Sequence, residues 1–306
     1  MIKILKKSLA VAFFIASICH VSSQDKNAKI SVLIVDGFSN HDWKQTTKVV
    51  KHILEKSKRF EVSTSTAPSS PEDKAWETWR PRFKDFDVVI QNTNNIHNPK
   101  IKWPKKVQKD LEKYLGNGGG LYILHSANNA FPDWEEYNLM IGLGWRTIDQ
   151  GVGLKVEEGG QISEIPIGKG KNTYHGPRQD EVITIVNDHP INAGFPKEWK
   201  TPNMELYKFA RGPAKNLTVL SFAKEEETNI NWPVEWIVSY GKGRVYNSSM
   251  GHLWAGETYP ISYQCIGFQT TLIRATEWLA NGTCTYSIPE NFPTETEIRL
   301  IEDDLD

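Results

Sequence analysis

The sequence predicts an α/β domain in which a mostly parallel sheet is covered by helices on both faces. Three short apolar runs have the length and composition of buried strands, at 30–35, 86–91 and 119–124. Two amphipathic helical patterns lie between them, at 44–56 and 104–115. Strands that alternate with helices through short connections are typical of parallel sheets, because each helix carries the chain back across the sheet.

The first half of the chain supplies these elements in order. The first strand stops at Asp36 and Gly37, and the helix that follows places its apolar residues on one stripe. A further strand is predicted at 60–66. The helix at 104–115 begins at a proline, which a first helical turn accepts, and ends at glycines, which commonly terminate helices.

The second half of the chain is less regular. Strands are predicted at 181–186 and 217–223, and a hairpin at 236–249 turns at the glycine-rich segment 241–243. A closing helix is predicted at 264–279. Because no repeat, low-complexity tract or Pro/Ser linker divides the chain, we expect one domain with an elaborated second half.

The amino terminus has the anatomy of a secretory signal peptide. Three lysines precede the apolar stretch Leu9 to Ile18, and small residues end at Ser23. About ten apolar residues are too few for a membrane anchor, because a bilayer core requires about 20. We therefore expect residues 1–23 to be removed, leaving one periplasmic or secreted domain, 24–306, without a membrane span.

Composition excludes one class of partner. The formal net charge is −1 at pH 7, from 36 basic and 37 acidic residues. Three of the basic residues lie in the predicted leader, so the remaining domain is mildly acidic. Nothing in this balance indicates a nucleic-acid-binding surface.

Two cysteines, Cys265 and Cys284, remain after removal of the leader. An oxidising compartment permits them to pair. They flank the predicted last helix, whose ends lie about 20 Å apart at 1.5 Å per residue. Pairing thus requires the chain to fold back along the helix, and two free thiols are the alternative.

Four histidines, His41, His97, His125 and His252, fall within a few residues after a predicted strand. In open parallel sheets, ligands bind outside the carboxyl ends of the strands, where loops from different strands converge. We therefore expect at least two of these histidines to share a cleft, with Asn94 beside them as a candidate ligand-binding residue. The alternative is that each histidine satisfies its own loop separately.

A metal ion is a further hypothesis for this cleft, with His125 and His252 as its ligands. Zinc commonly takes imidazole and carboxylate ligands in proteins. Zinc or another divalent ion is therefore the candidate cofactor. The sequence lacks a local metal motif such as His-Glu-x-x-His, so metal-free chemistry stays open.

His125 follows its strand directly, at an abrupt turn into Ser126-Ala127. This arrangement resembles the elbow on which α/β hydrolases expose a nucleophile. Neither Cys265 nor Cys284 lies near it in sequence, so a thiolate mechanism is not expected. Ser126 with a histidine base is an alternative, although the pattern Gly-x-Ser-x-Gly is missing.

The acidic candidates for proton transfer are Asp36, at the end of the first strand, and Glu205. Asp36 has a simpler interpretation as a loop cap, and Glu205 as the partner of an arginine such as Arg178 or Arg211.

Tryptophans number 11, and Trp145 and Trp254 lie near the proposed loops. Indole faces suit sugar rings, although packing is the commoner role of such side chains.

Several short motifs, taken in order, resemble the trehalose-utilisation, or ThuA-like, family. They are Phe86-Asp-Val-Val-Ile, Gly118-Gly-Gly-Leu-Tyr-Ile-Leu-His-Ser-Ala127, His189-Pro-Ile, Glu205-Leu-Tyr207, and Pro233-Val-Glu-Trp236 through Gly251-His252. The resemblance covers about 30–282.

The resemblance implies a flavodoxin-like three-layer sandwich, similar to the class I glutamine amidotransferase domain. His125 stands where that enzyme has its cysteine, so glutaminase activity is not implied. Family members often carry a histidine after the segment that here reads Gly142-Leu-Gly-Trp145-Arg, where this chain has Thr147. His175 is the candidate replacement, and Arg178 would accompany it in the site.

The resemblance also implies carbohydrate metabolism. The first hypothesis is an exported enzyme that acts on a sugar, keto sugar or glycoside. His125, Asp36 and Glu205 are its candidate catalytic residues, and its candidate substrate-binding residues are His41, Asn94, Trp145, His175, Arg178 and Trp254. The alternative is a carbohydrate-binding protein without catalytic activity. An unrelated hydrolase that uses Ser126 is a third hypothesis.

Overall fold

The computed structural model describes residues 29–302 and Leu305. The predicted signal peptide, at 1–23, lies outside these residues. Within the described part, no helix has the length and apolar character needed to cross a membrane.

The described residues contain fourteen strands and five α-helices. The strands are β1 (Ile30–Asp36), β2 (Phe60–Thr66), β3 (Val88–Gln91), β4 (Gly120–Leu124), β5 (Val152–Val156), β6 (Ile162–Ile165), β7 (Tyr174–His175), β8 (Gln179–Ile185), β9 (Glu198–Met204), β10 (Tyr207–Lys208), β11 (Arg211–Gly212), β12 (Leu217–Glu225), β13 (Ile230–Tyr240) and β14 (Gly243–Ser248). The helices are α1 (Trp43–Lys56), α2 (Lys105–Gly116), α3 (Glu135–Ile141), α4 (Ile261–Gln264) and α5 (Ile266–Asn281).

Nine of the strands form the main path of one sheet, in the order β2-β1-β3-β4-β14-β13-β12-β8-β9. The neighbours from β2 to β14 pair in parallel. From β14 to β9 the pairing is antiparallel. The predicted parallel sheet is thus confirmed for the half formed by β1 to β4, and the hairpin of β13 and β14 starts the antiparallel second half.

Helices cover both faces of the parallel half, as predicted. Alternate residues of β1 point to opposite faces, so Val32 and Ile34 enter one buried cluster while Leu33 and Val35 enter another. The first cluster includes residues of α1 and α5, and the second includes residues of α2 and α3. The three-layer α/β architecture is therefore confirmed.

The two cysteines are free thiols in this structure. Cys265 is buried at the start of α5, and the thiol of Cys284 faces the backbone carbonyl of Arg274 at 3.2 Å. Of the two alternatives for this pair, the structure has the unpaired one.

Candidate functional site

Three of the four predicted histidines meet at the carboxyl edge of the parallel strands. His41 lies between β1 and α1, His125 directly follows β4, and His252 follows β14. Glu205, in the loop between β9 and β10, joins them, and one ligating atom from each of the four residues lies within 4.8 Å of the others. We call these four residues the histidine–glutamate cluster. His97 is outside it, exposed in the loop after β3.

His125 occupies the predicted abrupt turn, and its backbone has a positive φ of 42°. A non-glycine residue rarely adopts this conformation, which is found preferentially at functional sites. The residue is only 2% exposed. Its Nδ1 lies 2.6 Å from the carbonyl oxygen of Ser249, which can only accept, so Nδ1 carries the proton. Nε2 therefore faces the cluster.

Two side chains face Nε2 of His125. A carboxylate oxygen of Glu205 lies 3.5 Å from it. The hydroxyl of Tyr207 lies 3.4 Å from the same nitrogen, within hydrogen-bonding distance. The turn thus aims an imidazole nitrogen at an acidic group from a distant part of the chain.

His41 precedes α1, whose first turn is capped by the Asp42 carboxylate. Its Nδ1 lies 3.0 Å from the amide oxygen of Asn40, and the amide of Asn94 donates to the same oxygen. Asn94, a predicted substrate-binding residue, thus holds the loop that carries His41. Burial, followed by the charges of His125 and His252, lowers the pKa of His41 to about 2. The imidazole is therefore neutral at pH 7.

His252 is held by polar and aromatic neighbours. The Arg178 guanidinium donates to its Nδ1 at 3.1 Å and to the Glu257 carboxylate at 2.7 Å. The Trp254 ring stacks on the imidazole, with centroids 5.8 Å apart. Burial is the main cause that lowers the pKa of His252 to about 4, so this imidazole is also neutral at pH 7.

Glu205 supplies the negative charge of the cluster. Burial raises its pKa, but a hydrogen bond from His125 and the positive charges that the neighbouring histidines carry when protonated outweigh burial and lower the pKa to about 2. At neutral pH an ionised carboxylate therefore lies close to the neutral imidazoles of His41 and His252. Glu205 pairs with histidines and not with an arginine. Arg178 binds His252 and Glu257, and the Arg211 guanidinium binds backbone carbonyls.

The remaining predicted binding residues form the rim of the cluster. Nε2 of His175 lies 3.3 Å from the Glu205 carboxylate, which places this histidine at the site. The Trp145 ring contacts both His175 and Tyr207, at centroid distances of 5.6 and 5.2 Å. Trp254 is 45% exposed above His252. Two indoles thus border the histidines.

Asp36, a predicted catalytic residue, lies at the end of β1 and contacts α1. Its carboxylate accepts a hydrogen bond from the Thr47 hydroxyl at 2.7 Å, so it links the end of β1 to α1. Burial raises its pKa, and hydrogen bonds from Thr47 and Thr66 oppose this. None of the contacts described for Asp36 involves the histidine–glutamate cluster, and its hydrogen bond to Thr47 is the kind of contact expected of a loop-fixing residue.

One large cavity lies away from this chemistry. A cavity of about 820 Å³ is lined by Tyr114 and Gly119, at the start of β4 and therefore at the opposite edge of the sheet. Its charged side chains include Arg80 and Asp110, which form an ion pair with each other. The candidate site is identified by its converging polar groups and not by cavity volume.

Sequence reasoning missed several residues that orient the cluster. Ser249 acts through its backbone, which no side-chain pattern reveals. Tyr207 belongs to the motif Glu205-Leu-Tyr207, but the motif alone did not indicate a role for its hydroxyl. Glu257 lies in an irregular segment after β14, where no periodicity marks it.

Comparison with known proteins places the chain among relatives. A family model named ThuA, described as trehalose utilisation, matches residues 31–279. The chain is also similar to a ThuA-like protein of solved structure from Parabacteroides merdae, with 32% identity and a TM-score of 0.82, over 90% of this chain and 98% of that one. No curated protein matches the chain significantly.

Two more distant structures share lower similarity. A glutamine amidotransferase from Thermotoga maritima has 9% identity and a TM-score of 0.41, over 72% of this chain and 75% of that one. A protein described as a GMP synthase subunit, from Thermoplasma acidophilum, has 8% identity and a TM-score of 0.41, over 83% of this chain and 96% of that one. We draw no functional conclusion from either.

Proposed function

We propose, from the premise that the chain belongs to the trehalose-utilisation (ThuA) family, that it is an enzyme acting on a sugar, keto sugar or glycoside. The family carries a carbohydrate-related role. The histidine–glutamate cluster is the proposed reaction centre. Its convergence at the carboxyl edge of the sheet, from four separate loops, is the observation that carries the proposal.

The chemistry of the cluster supports a reaction at a hydroxyl or carbonyl group. Nδ1 of His125 is held by the Ser249 carbonyl, so Nε2 is the ring atom that faces the cluster and is placed to exchange a proton or bind an electrophile. Glu205 is a fixed negative charge, because a pKa of about 2 makes it a weak proton acceptor at pH 7. A sugar presents hydroxyls, and a keto sugar also a carbonyl, to such groups.

Glutaminase activity is not part of the proposal. That chemistry requires a nucleophile at the turn, and this chain has His125 there. Cys265 is buried and packed near the carbonyl of Lys200. Cys284 faces Arg274 beside α5, and burial raises its pKa to about 12, so it is a protonated thiol at pH 7.

The rim favours a ring-shaped ligand. Trp254 and Trp145 present indole surfaces on two sides of the histidines. Such faces pack well against the apolar face of a sugar ring, while polar groups bind its hydroxyls. Arg178 and His175 are the polar rim residues available for this binding.

We also propose that the protein is exported to the periplasm or secreted. The segment 1–23 has the composition of a cleavable leader, and this is the basis of the proposal. Fractionation of cells that express the full chain or a chain lacking 2–23 tests it. We expect the full chain to be processed and found outside the cytoplasm, and the chain lacking 2–23 to stay in the cytoplasm. Unprocessed full chain retained in the cytoplasm would refute export.

The test of the enzymatic proposal is a turnover screen with the purified chain. The panel is trehalose, other glucosides, their 3-keto derivatives and 4-nitrophenyl glycosides. We expect release of reducing sugar or 4-nitrophenol from at least one member, and loss of that release in Glu205→Gln. The exposed His97 serves as the control position, because His97→Ala leaves the cluster intact.

The second candidate is a carbohydrate-binding protein without turnover. The presence of an imidazole, in place of a hydroxyl or thiol nucleophile, at the turn of His125 favours this alternative. Calorimetric titration of the same panel separates the two. Binding without product over the whole panel would overturn the enzymatic proposal and leave the binding role.

A further inference from the structure

We propose that His41, His125, Glu205 and His252 together bind one divalent transition-metal ion of the zinc type. The proposal deepens the proposed function, since it assigns a cofactor to the same site. It stands on its own donor set, because a metal can bind whether or not a sugar is the substrate. Three imidazoles and one carboxylate are ligands that zinc takes in proteins.

The spacing of the donor atoms fits a small ion. At Zn–N and Zn–O distances of about 2.0–2.1 Å, tetrahedral ligand atoms lie about 3.4 Å apart. One carboxylate oxygen of Glu205, Oε2, lies 3.5 Å from Nε2 of His125, and the other, Oε1, lies 3.7 Å from Nε2 of His252. No pair of the four donor atoms is more than 4.8 Å apart. A modest closure of the loops therefore brings all four donors to one ion.

The outer hydrogen bonds orient two of the imidazoles as ligands. A metal-bound histidine usually donates its other ring N–H to a carbonyl or carboxylate. Nδ1 of His125 has the carbonyl of Ser249 at 2.6 Å, and Nδ1 of His41 has the amide oxygen of Asn40 at 3.0 Å. Both Nε2 atoms are thus left free for the ion.

His252 has a candidate outer partner in Glu257. Binding through Nε2 requires a proton on Nδ1, which then needs an acceptor. A Glu257 oxygen lies 4.0 Å from that nitrogen, and the Arg178 guanidinium bridges the two residues. We therefore assign Glu257 as a positioning residue that accepts from His252 when the ion is bound, with Arg178 remaining on the other Glu257 oxygen.

The charge and softness of the donors select the class of ion. One carboxylate with three imidazoles suits zinc, copper, iron or nickel, whereas magnesium and calcium prefer oxygen ligands. Monodentate binding by Glu205 leaves room for a fifth ligand beside Tyr207 and His175. An ion there would supply a Lewis acid for a sugar oxygen or for a water molecule.

The experiment uses the purified chain, stripped with a chelator and titrated with zinc chloride. We expect one zinc per chain in calorimetry and by elemental analysis, and the same result for His97→Ala. His125→Asn and Glu205→Gln are each expected to lower affinity by more than about 100-fold, since even the loss of an outer partner costs 10–100-fold. Cobalt(II) reports the geometry, because four- or five-coordinate cobalt absorbs visible light strongly.

The outcomes separate the metal from the proposed function. Failure of the wild-type chain to bind either zinc or cobalt overturns the metal site. Equal zinc affinity in wild type, His125→Asn and Glu205→Gln also overturns it, because the ion would then lie elsewhere. Turnover is measured separately from metal binding. A chain that binds no metal and still turns over sugar refutes only the metal site, and a zinc-binding chain that is inert to every sugar refutes only the proposed function.

Discussion

The indole of Trp254 stacks on the imidazole of His252, with ring centroids 5.8 Å apart and planes 17° from parallel. The same indole meets the His41 ring edge to face at 5.1 Å. One tryptophan therefore covers two residues of the histidine–glutamate cluster while 45% of its surface stays exposed. This exposed surface is the proposed contact for the sugar ring.

Replacement of Trp254 by alanine is expected to weaken sugar binding by about tenfold, or 1.4 kcal/mol, the scale of one aromatic contact. Trp254→Phe should restore most of the loss, because a smaller ring still packs against the sugar. Calorimetric titration of both variants measures this. Equal affinity for sugar in wild type and Trp254→Ala would show that the sugar ring does not contact this indole.

Glu257→Gln is expected to lower zinc affinity by about 10–100-fold while leaving the four ligands in place. The physical reason is that an amide accepts the His252 N–H less strongly than a carboxylate does. Competition of each variant against a chromophoric chelator gives the affinity. Exchange of the exposed Glu158 for glutamine is a matched control that should change nothing.

Zinc is expected to stabilise the fold, because it binds the native cluster and not the scattered ligands of the unfolded chain. Free zinc at 100 times its dissociation constant contributes about 2.7 kcal/mol. The thermal midpoint of the stripped protein should rise by several degrees and return on chelation. The same zinc addition should leave the midpoint of Glu205→Gln nearly unchanged, and an equal rise in that variant would contradict the assignment.

His189, which lies outside the candidate site, is expected to make the stability of the fold depend on pH. Its ring packs edge-on against Trp278 at 4.7 Å, and burial lowers its pKa to about 4. The unfolded chain, with a histidine pKa of about 6.5, binds more protons between pH 6.5 and 4. The contribution of His189 to stability is therefore present above pH 6.5 and is lost as the pH falls toward 4.

The measurement is chemical unfolding of the stripped wild type and of His189→Gln at several pH values. Because His41 and His252 are common to both proteins, their effects cancel in the difference. We expect the free energy of unfolding of wild type to exceed that of His189→Gln most at pH 7, with the gap narrowing toward pH 4. A gap that stays constant or widens on acidification would exclude a depressed pKa at His189.

The convergence of three histidines was predictable because each follows an apolar strand run, and parallel strands end at the same edge. His41, His125 and His252 obey this rule. His97 does not, because the loop after β3 forms a turn, closed by the Asn98 amide on the Asn95 carbonyl, that carries His97 into solvent. Proximity to a strand end places a residue at an edge without fixing its direction.

The position of Glu205 was harder to predict because strand β9, which delivers it, was not recognised. Its sequence Glu-Trp-Lys-Thr-Pro-Asn-Met contains Pro202, which disfavours a central strand. β9 ends the main path of the sheet, where a proline is tolerated. Glu257 lies in an irregular segment, so its place beside His252 depends on tertiary contacts that no local pattern encodes.

The most direct test of the proposed active site is turnover by His125→Asn, measured on whichever panel sugar the wild type converts. Asparagine tolerates the positive φ of this position better than alanine, so the fold should persist. We expect turnover to fall by about 10²–10⁴-fold with little change in the thermal midpoint of the metal-free protein. Wild-type turnover in a folded His125→Asn would contradict the assignment of this cluster as the reaction centre.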